Sequence, residues 1–139
     1  MTKPFLLFAI KCSVILYFAA CTSIDTLTVD KSATPFITKG AWKVDVYADA
    51  NKDKTNDFAG YNFVFGATGD LKAIKNGVEI KGNWSEDNIS KRITINLGKT
   101  DPILAKLNDY WNIKKIAKLK VDLQSSDSQF AESLKITAL

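Results

Sequence analysis

The chain contains no histidine, which removes Ser-His-Asp and Cys-His nucleophile arrangements, histidine-built zinc sites and histidine haem ligation together. Its two cysteines, Cys12 and Cys21, both lie near the start, and no Gly-x-Ser-x-Gly elbow, phosphate-cradling glycine loop or dinucleotide fingerprint is present. One polar cluster has ligand-like spacing. In residues 49–57 the side chains of Asp49, Asn51, Asp53, Thr55 and Asp57 place oxygens at every second position, as in a calcium-binding EF-hand loop. The other requirements of that loop are missing. Lys54 stands where the turn needs glycine, Gly60 where a bidentate glutamate belongs, and Lys52 and Lys54 offset much of the charge. The cluster therefore reads as a solvated connection with Asx turns and a short helical turn over residues 55–59. Asp49, Asn51, Asp53 and Thr55 remain only weak metal candidates. No catalytic residue, cofactor or enzymatic activity is expected.

Cys21 has a different setting. Residues 1–20 carry Lys3 and Lys11 with no acid, then the unbroken apolar run Cys12–Ala20 ending in Ala19-Ala20, which is the build of a secretory signal peptide. The run is about half the ~20 residues that a membrane-spanning helix needs. Phe18-Ala19-Ala20-Cys21 resembles the lipobox of bacterial lipoproteins. That resemblance implies cleavage before Cys21 and lipidation of its thiol; with Thr22 next, it also implies passage to the outer membrane of a Gram-negative bacterium. The protein is thus expected to be exported and held in the cell envelope by its N-terminal lipid. Stable anchoring takes two or more acyl chains, which a lipidated cysteine carries. An ordinary secretory leader cut at the same small residues is the alternative.

Cleavage takes two lysines and no acid away, lowering the net charge from +4 to +2. Arg92 is the sole arginine and the lysines are spread along the chain, without the stripe that grips phosphates, so a nucleic-acid partner is not expected. With Cys12 removed and Cys21 acylated, no internal disulfide is available, and stability must come from a hydrophobic core. About 100 residues suffice for one such core and not for two. The organisation expected is a signal peptide at 1–20, a lipidated cysteine and flexible tether at 21–37, and one β domain at 38–139.

From Gly40 onward the apolar period is two. Trp42, Val44 and Val46 fall on one side of a half-buried strand, and Tyr61–Phe65 alternates in the same way. Leu71–Lys75 and Val78–Trp84 flank Asn76-Gly77, the strongest short hairpin signal. Arg92–Leu97 alternates again. Asp101, Pro102, Ile103, Leu104 and Leu107 predict one short helix of about two turns. Strands follow at Trp111 onward, Leu119–Leu123 and Phe130–Ala138, with the path near Ile116-Ala117 left open because Ile116 breaks the alternation. The pattern predicts an all-β fold: an antiparallel small barrel or half-barrel of seven to eight strands with one short helix, since curling removes exposed edges.

Gly40-Ala41-Trp42 opening the first strand resembles the Gly-x-Trp of lipocalins. The order of Trp42, Asp57–Phe65, Gly82-Asn83-Trp84, Leu107 and Trp111 resembles the small lipocalin-like lipoproteins of Gram-negative bacteria. By parity Trp42, Phe63, Phe65, Ile80, Trp84, Ile95, Trp111, Leu119, Val121 and Leu134 point inward, and lysines 43, 72, 81, 118 and 120 outward. Trp42, Phe63, Phe65, Trp84 and Trp111 form either the wall of a site for a small apolar ligand or the filling of a solid barrel. The two readings imply different roles: a non-enzymatic ligand-binding domain, or an interaction module docking on another envelope protein. If Cys21 is the anchor, labelled palmitate is incorporated into the protein, and Cys21→Ser abolishes the label and releases the protein from the membrane fraction.

Overall fold

The computed structural model describes residues 31–126 and 132–139. The expected signal peptide, Cys21 and the first part of the expected tether lie outside these residues. Nine antiparallel strands follow in chain order: β1 (Trp42–Asp49), β2 (Lys52–Asp53), β3 (Asn62–Phe65), β4 (Asp70–Lys75), β5 (Val78–Asp87), β6 (Arg92–Asn96), β7 (Asp109–Ala117), β8 (Lys120–Ser125) and β9 (Ser133–Ala138). From β3 to β9 each strand pairs with its sequence neighbour, and β9 returns to β1, closing an eight-stranded barrel; β2 is an extra edge on β1. Closure rests on six residue pairs between β1 and β9, from Trp42 with Ala138 to Ala48 with Ser133. The β1–β3 seam is held by the single pair Trp42 and Phe63.

Because the strands run up and down, the barrel has two distinct ends. The entry end, where the chain enters β1, carries residues 31–41, the turn at 66–69, the β5–β6 hairpin tip and the β7–β8 turn. The far end carries the β1–β2 hairpin, the two 3-10 turns Thr55–Phe58 and Leu104–Leu107, the Asn76-Gly77 turn, the end of β8 and the start of β9. Asn76 and Gly77 both have positive φ, 51° and 77°, which is what a two-residue hairpin turn of matching twist demands. Gly82 is required for a different reason. A Cβ there would lie 2.2 Å from the Asn96 carbonyl oxygen, so β5 and β6 can approach only where a side chain is absent.

Two β-bulges decide which side chains face inward. On β1 the register against β9 shifts between Val44 and Val46, leaving Asp45 as the extra residue. Beyond it the parity inverts: Tyr47 is buried, and Val46, expected inside, is only half-buried. On β7 the shift between Ile113 and Lys115 makes Lys114 the extra residue and returns Ile116 to the interior. This resolves the broken alternation. The segment bends back at a two-residue turn of Lys118 and Leu119, and Leu119, expected inward, is 59 % exposed there. The other expected core residues are buried, except Ile80, which packs from the margin.

The expected two-turn helix is one 3-10 turn, Leu104–Leu107, with Leu104 and Leu107 buried. Asp101 does cap it: its Oδ1 accepts the backbone N–H of Ile103 at 2.8 Å and of Leu104 at 3.1 Å. A second helical feature lies where tether was expected. Thr34–Ile37 forms one α-helical turn, α1, with Ala33 and Ile37 fully buried in the barrel core, so the packed domain starts ahead of residue 38. Burial of those two apolar side chains makes this stretch part of the fold rather than a spacer.

Parity places both Trp111 and Leu119 inside, and the structure buries only Trp111. Trp111→Ala should destabilise by about 3 to 5 kcal/mol, while Leu119→Ala stays within about 0.5 kcal/mol of the parent because its side chain is outside; urea denaturation midpoints measure both.

Candidate functional site

The five aromatic residues that sequence marked as wall or filling are brought together in one cluster, and their exposure runs from 0 % at Trp111 to 5 % at Trp84. A ligand wall keeps one face of each ring free for its guest, whereas these rings are covered on all sides by protein. Phe65 and Trp84 meet edge to face with centroids 5.4 Å apart. Tyr47 and Phe58, which the sequence reading passed over, meet similarly at 5.0 Å. Their signal was hidden. Phe58 sits in a polar run and Tyr47 on the face that only the bulge turns inward.

Two indoles also reach out of the interior to hold the ends. Trp84 Nε1 donates to the Gly66 carbonyl at 2.8 Å, fixing the turn at 66–69 on the entry end. Trp111 Nε1 donates to the Leu107 carbonyl at 2.9 Å, fixing the 3-10 turn on the far end. Trp42 differs: its Nε1 is buried and has no acceptor among the described residues.

The four weak metal candidates are each engaged locally. Ala50 and Asn51 form the β1–β2 turn with positive φ, which places Asp49 and Asp53 at the ends of a tight hairpin instead of on a coordinating loop. Asp49 accepts from Lys54 Nζ at 2.5 Å. Asp53 Oδ1 accepts the Thr55 N–H at 2.9 Å and hydroxyl at 2.6 Å, and these hydrogen bonds hold its carboxyl below the ordinary value. The Thr55 hydroxyl in turn accepts from Tyr47 N at 2.9 Å. The arrangement matches the reading of these residues as a turn-rich connection with a short helical turn at 55–58.

An open depression of about 340 Å³ on the far end is lined by Tyr47, Asp49, Ala105, Lys106, Asn108, Asp109 and Glu132. Burial and then the neighbouring Asp49 and Asp109 push the Glu132 carboxyl up. Burial, followed by the negative charge of Glu132, Asp49, Asp109 and Asp57, raises Tyr47 strongly. Lys106 pairs with Asp57 at 2.6 Å on the same rim. The lining thus holds three carboxylates to one lysine.

The opposite end holds a carboxylate latch. Glu86 accepts from the Ser32 hydroxyl at 2.7 Å, the Ala33 N–H at 2.6 Å, the Thr34 N–H at 2.9 Å and the Thr34 hydroxyl at 2.5 Å. A single carboxylate thereby satisfies the free donors at the start of α1. Burial pushes Glu86 up, but the bonds from Thr34, Ser32 and Ala33 outweigh it and leave the carboxyl below 4.5. Nothing local to Glu86 in the sequence indicates a partner more than 50 residues earlier.

These features define a closed, eight-stranded antiparallel barrel with a filled interior, a polar hairpin at one end and a latched N-terminal segment at the other. Among solved structures it is similar to a DUF4847 family protein from Bacteroides vulgatus, at 14 % sequence identity and a TM-score of 0.57 over 78 % of this chain and 98 % of that one. At that identity the likeness shows the barrel fold alone. No protein-family model matches the sequence, and no curated protein matches it.

The latch has a pH signature. A carboxyl whose folded pKa is lowered stabilises the fold above its unfolded value and loses that contribution as the pH falls through the folded one. Glu86→Gln should therefore cost about 1 to 2 kcal/mol near neutral pH, with the gap to the parent closing as the pH falls through and below the ordinary carboxylate range, as read from urea midpoints at falling pH.

Proposed function

We propose that the chain is an exported, lipid-anchored, non-enzymatic lipocalin-like barrel that works as an interaction module of the cell envelope, meeting a protein partner through its surface. The observation that carries this reading is the burial of the interior: Trp42, Phe63, Phe65, Trp84 and Trp111 belong to one buried cluster and none is more than 5 % exposed. The hairpin and 3-10 turn over residues 49–58, pinned by Lys54, Asp53 and Thr55, offer a fixed polar outline at the end away from α1. The absence of histidine and the acylation of Cys21 leave such a module without a thiol or imidazole for catalysis. The lipobox-like Phe18–Cys21 and Thr22 support placement at the outer membrane of a Gram-negative bacterium.

The carrier reading retains one observation in its favour, the buried Trp42 Nε1 without an acceptor. An orphaned donor in a core costs about 1 to 3 kcal/mol, and a bound polar atom is one way to offset it. Native mass spectrometry of the lipidated protein purified from its host separates the two. A mass equal to protein plus anchor, and a melting temperature that fatty acids and phospholipids leave unchanged, is the expected result; a stoichiometric additional small molecule overturns the solid-core module.

A further inference from the structure

We propose that the entry end of the barrel is a membrane-facing surface that sits on an anionic lipid bilayer, so that the far end is presented away from the membrane. This rests on the reading of Cys21 as the lipid anchor. The latch of Ser32, Ala33 and Thr34 on Glu86 fixes the chain to the barrel at the entry end. Only residues 22–31 separate Cys21 from that point, a span of at most about 35 Å even fully extended. The entry end is the part of the barrel that such an anchor holds nearest to the lipid.

Two exposed aliphatic side chains stand on turns at this end. Ile89, at the tip of the β5–β6 hairpin, is 96 % exposed. Its tip is pinned, since the Asp87 carboxylate accepts the N–H of Ile89 at 2.8 Å and the hydroxyl of Ser90 at 2.7 Å. Leu119 tops the β7–β8 turn, which reaches beyond β6 because β7 runs on from Asn112, the partner of Arg92, to Ala117. That turn is also pinned, the Leu119 carbonyl accepting from Ala138 N at 2.9 Å and the Thr137 hydroxyl at 3.0 Å. Single exposed aliphatics on a protein surface need no explanation. Two on rigid turns at the end the anchor holds do, because an interfacial apolar side chain gains by burial among acyl chains.

Charge points to the same occupant. Lys118 and Lys120 bracket Leu119, and Lys31 and Lys39 flank α1; all four are exposed, Lys120 sharing a loose 3.6 Å contact with Asp45. The acids Glu86, Asp70 and Asp87 at this end keep their charge but are fewer than these lysines, and each is held by hydrogen bonds to a neighbouring hydroxyl. At the far end one depression gathers three carboxylates, Asp49, Asp109 and Glu132, with Lys106. Lysines beside an apolar tip suit a surface of anionic headgroups, each being worth about 1 kcal/mol near such a membrane, or roughly fivefold in binding.

The test uses the full lipidated chain reconstituted in phosphatidylcholine vesicles with about 30 % phosphatidylglycerol. Once Cys21 is acylated, Ile89→Cys, Leu119→Cys and Val78→Cys each supply one free thiol for an environment-sensitive fluorophore; Val78, 64 % exposed at the far end, is the control. The expected result is a blue shift and quenching by brominated lipid at positions 89 and 119 but not at 78. Both effects should fade in pure phosphatidylcholine or in about 0.5 M salt, where charges beyond a few Å are screened. Lys118→Gln in the Leu119→Cys chain should lower the ratio of docked to undocked protein about fivefold. Labels at 89 and 119 that stay as wet as the label at 78, in protein that has incorporated palmitate at Cys21, would overturn the docking face and leave the anchor standing. A shift that persists without vesicles and grows with protein concentration would assign the face to a second copy instead. Failure of palmitate incorporation removes the anchor, and with it both this proposal and the lipoprotein reading.

Discussion

Closure of the barrel by β9 onto β1 is the constraint on which the rest of the structure depends. Each strand offers one apolar face, and a single strand or hairpin has nowhere to bury it. Pairing Trp42 with Ala138 and Ala48 with Ser133 joins the two ends of the domain and encloses one continuous cluster. It also removes the two long edges that an open sheet of the same strands would expose. The cost is topological, since the last strand must be in place before the first is fully paired.

Closure works only because the two bulges correct the phase of the side chains. A strict alternation along β1 would turn Tyr47 to solvent, and along β7 it would do the same to Ile116. Asp45 and Lys114, the extra residues, are charged and exposed, so the insertion leaves the apolar cluster intact while bending the strands into the curve the barrel needs. The ends are then sealed by hydrogen bonds reaching out from the core and back from the rim. Trp84 and Trp111 hold one turn each, Asp101 caps the 3-10 turn while accepting from the Tyr61 hydroxyl at 2.6 Å, and Glu86 holds α1. Lys75 lies 4.6 Å over the Tyr61 ring and completes that corner.

With these aromatic side chains buried, what the barrel presents to solvent is its outer surface. There the two ends are unlike: one is tied to the N-terminal segment, with lysines around exposed aliphatic tips, and the other carries a stiff polar hairpin and an acidic depression. This polarity follows from which loops the meander places at each end.

The sequence by itself determined the strand class, the Asn76-Gly77 hairpin, the Asp101 cap and most of the core, because period-two alternation and turn chemistry are local and survive without tertiary knowledge. It also excluded imidazole chemistry by composition alone. The strand alternation did not disclose the inward turn of Tyr47 or the outward turn of Leu119. Bulge positions are set by pairing with a partner strand, and no residue between Val44 and Val46 marks the shift. Nor did it disclose the role of Glu86, whose partners at Ser32 to Thr34 lie far off in the chain and close only in the folded barrel. Nor could it separate a ligand wall from a core. The same Trp, Phe and Ile residues serve either purpose, and only the tertiary packing decides whether their faces meet one another or a guest.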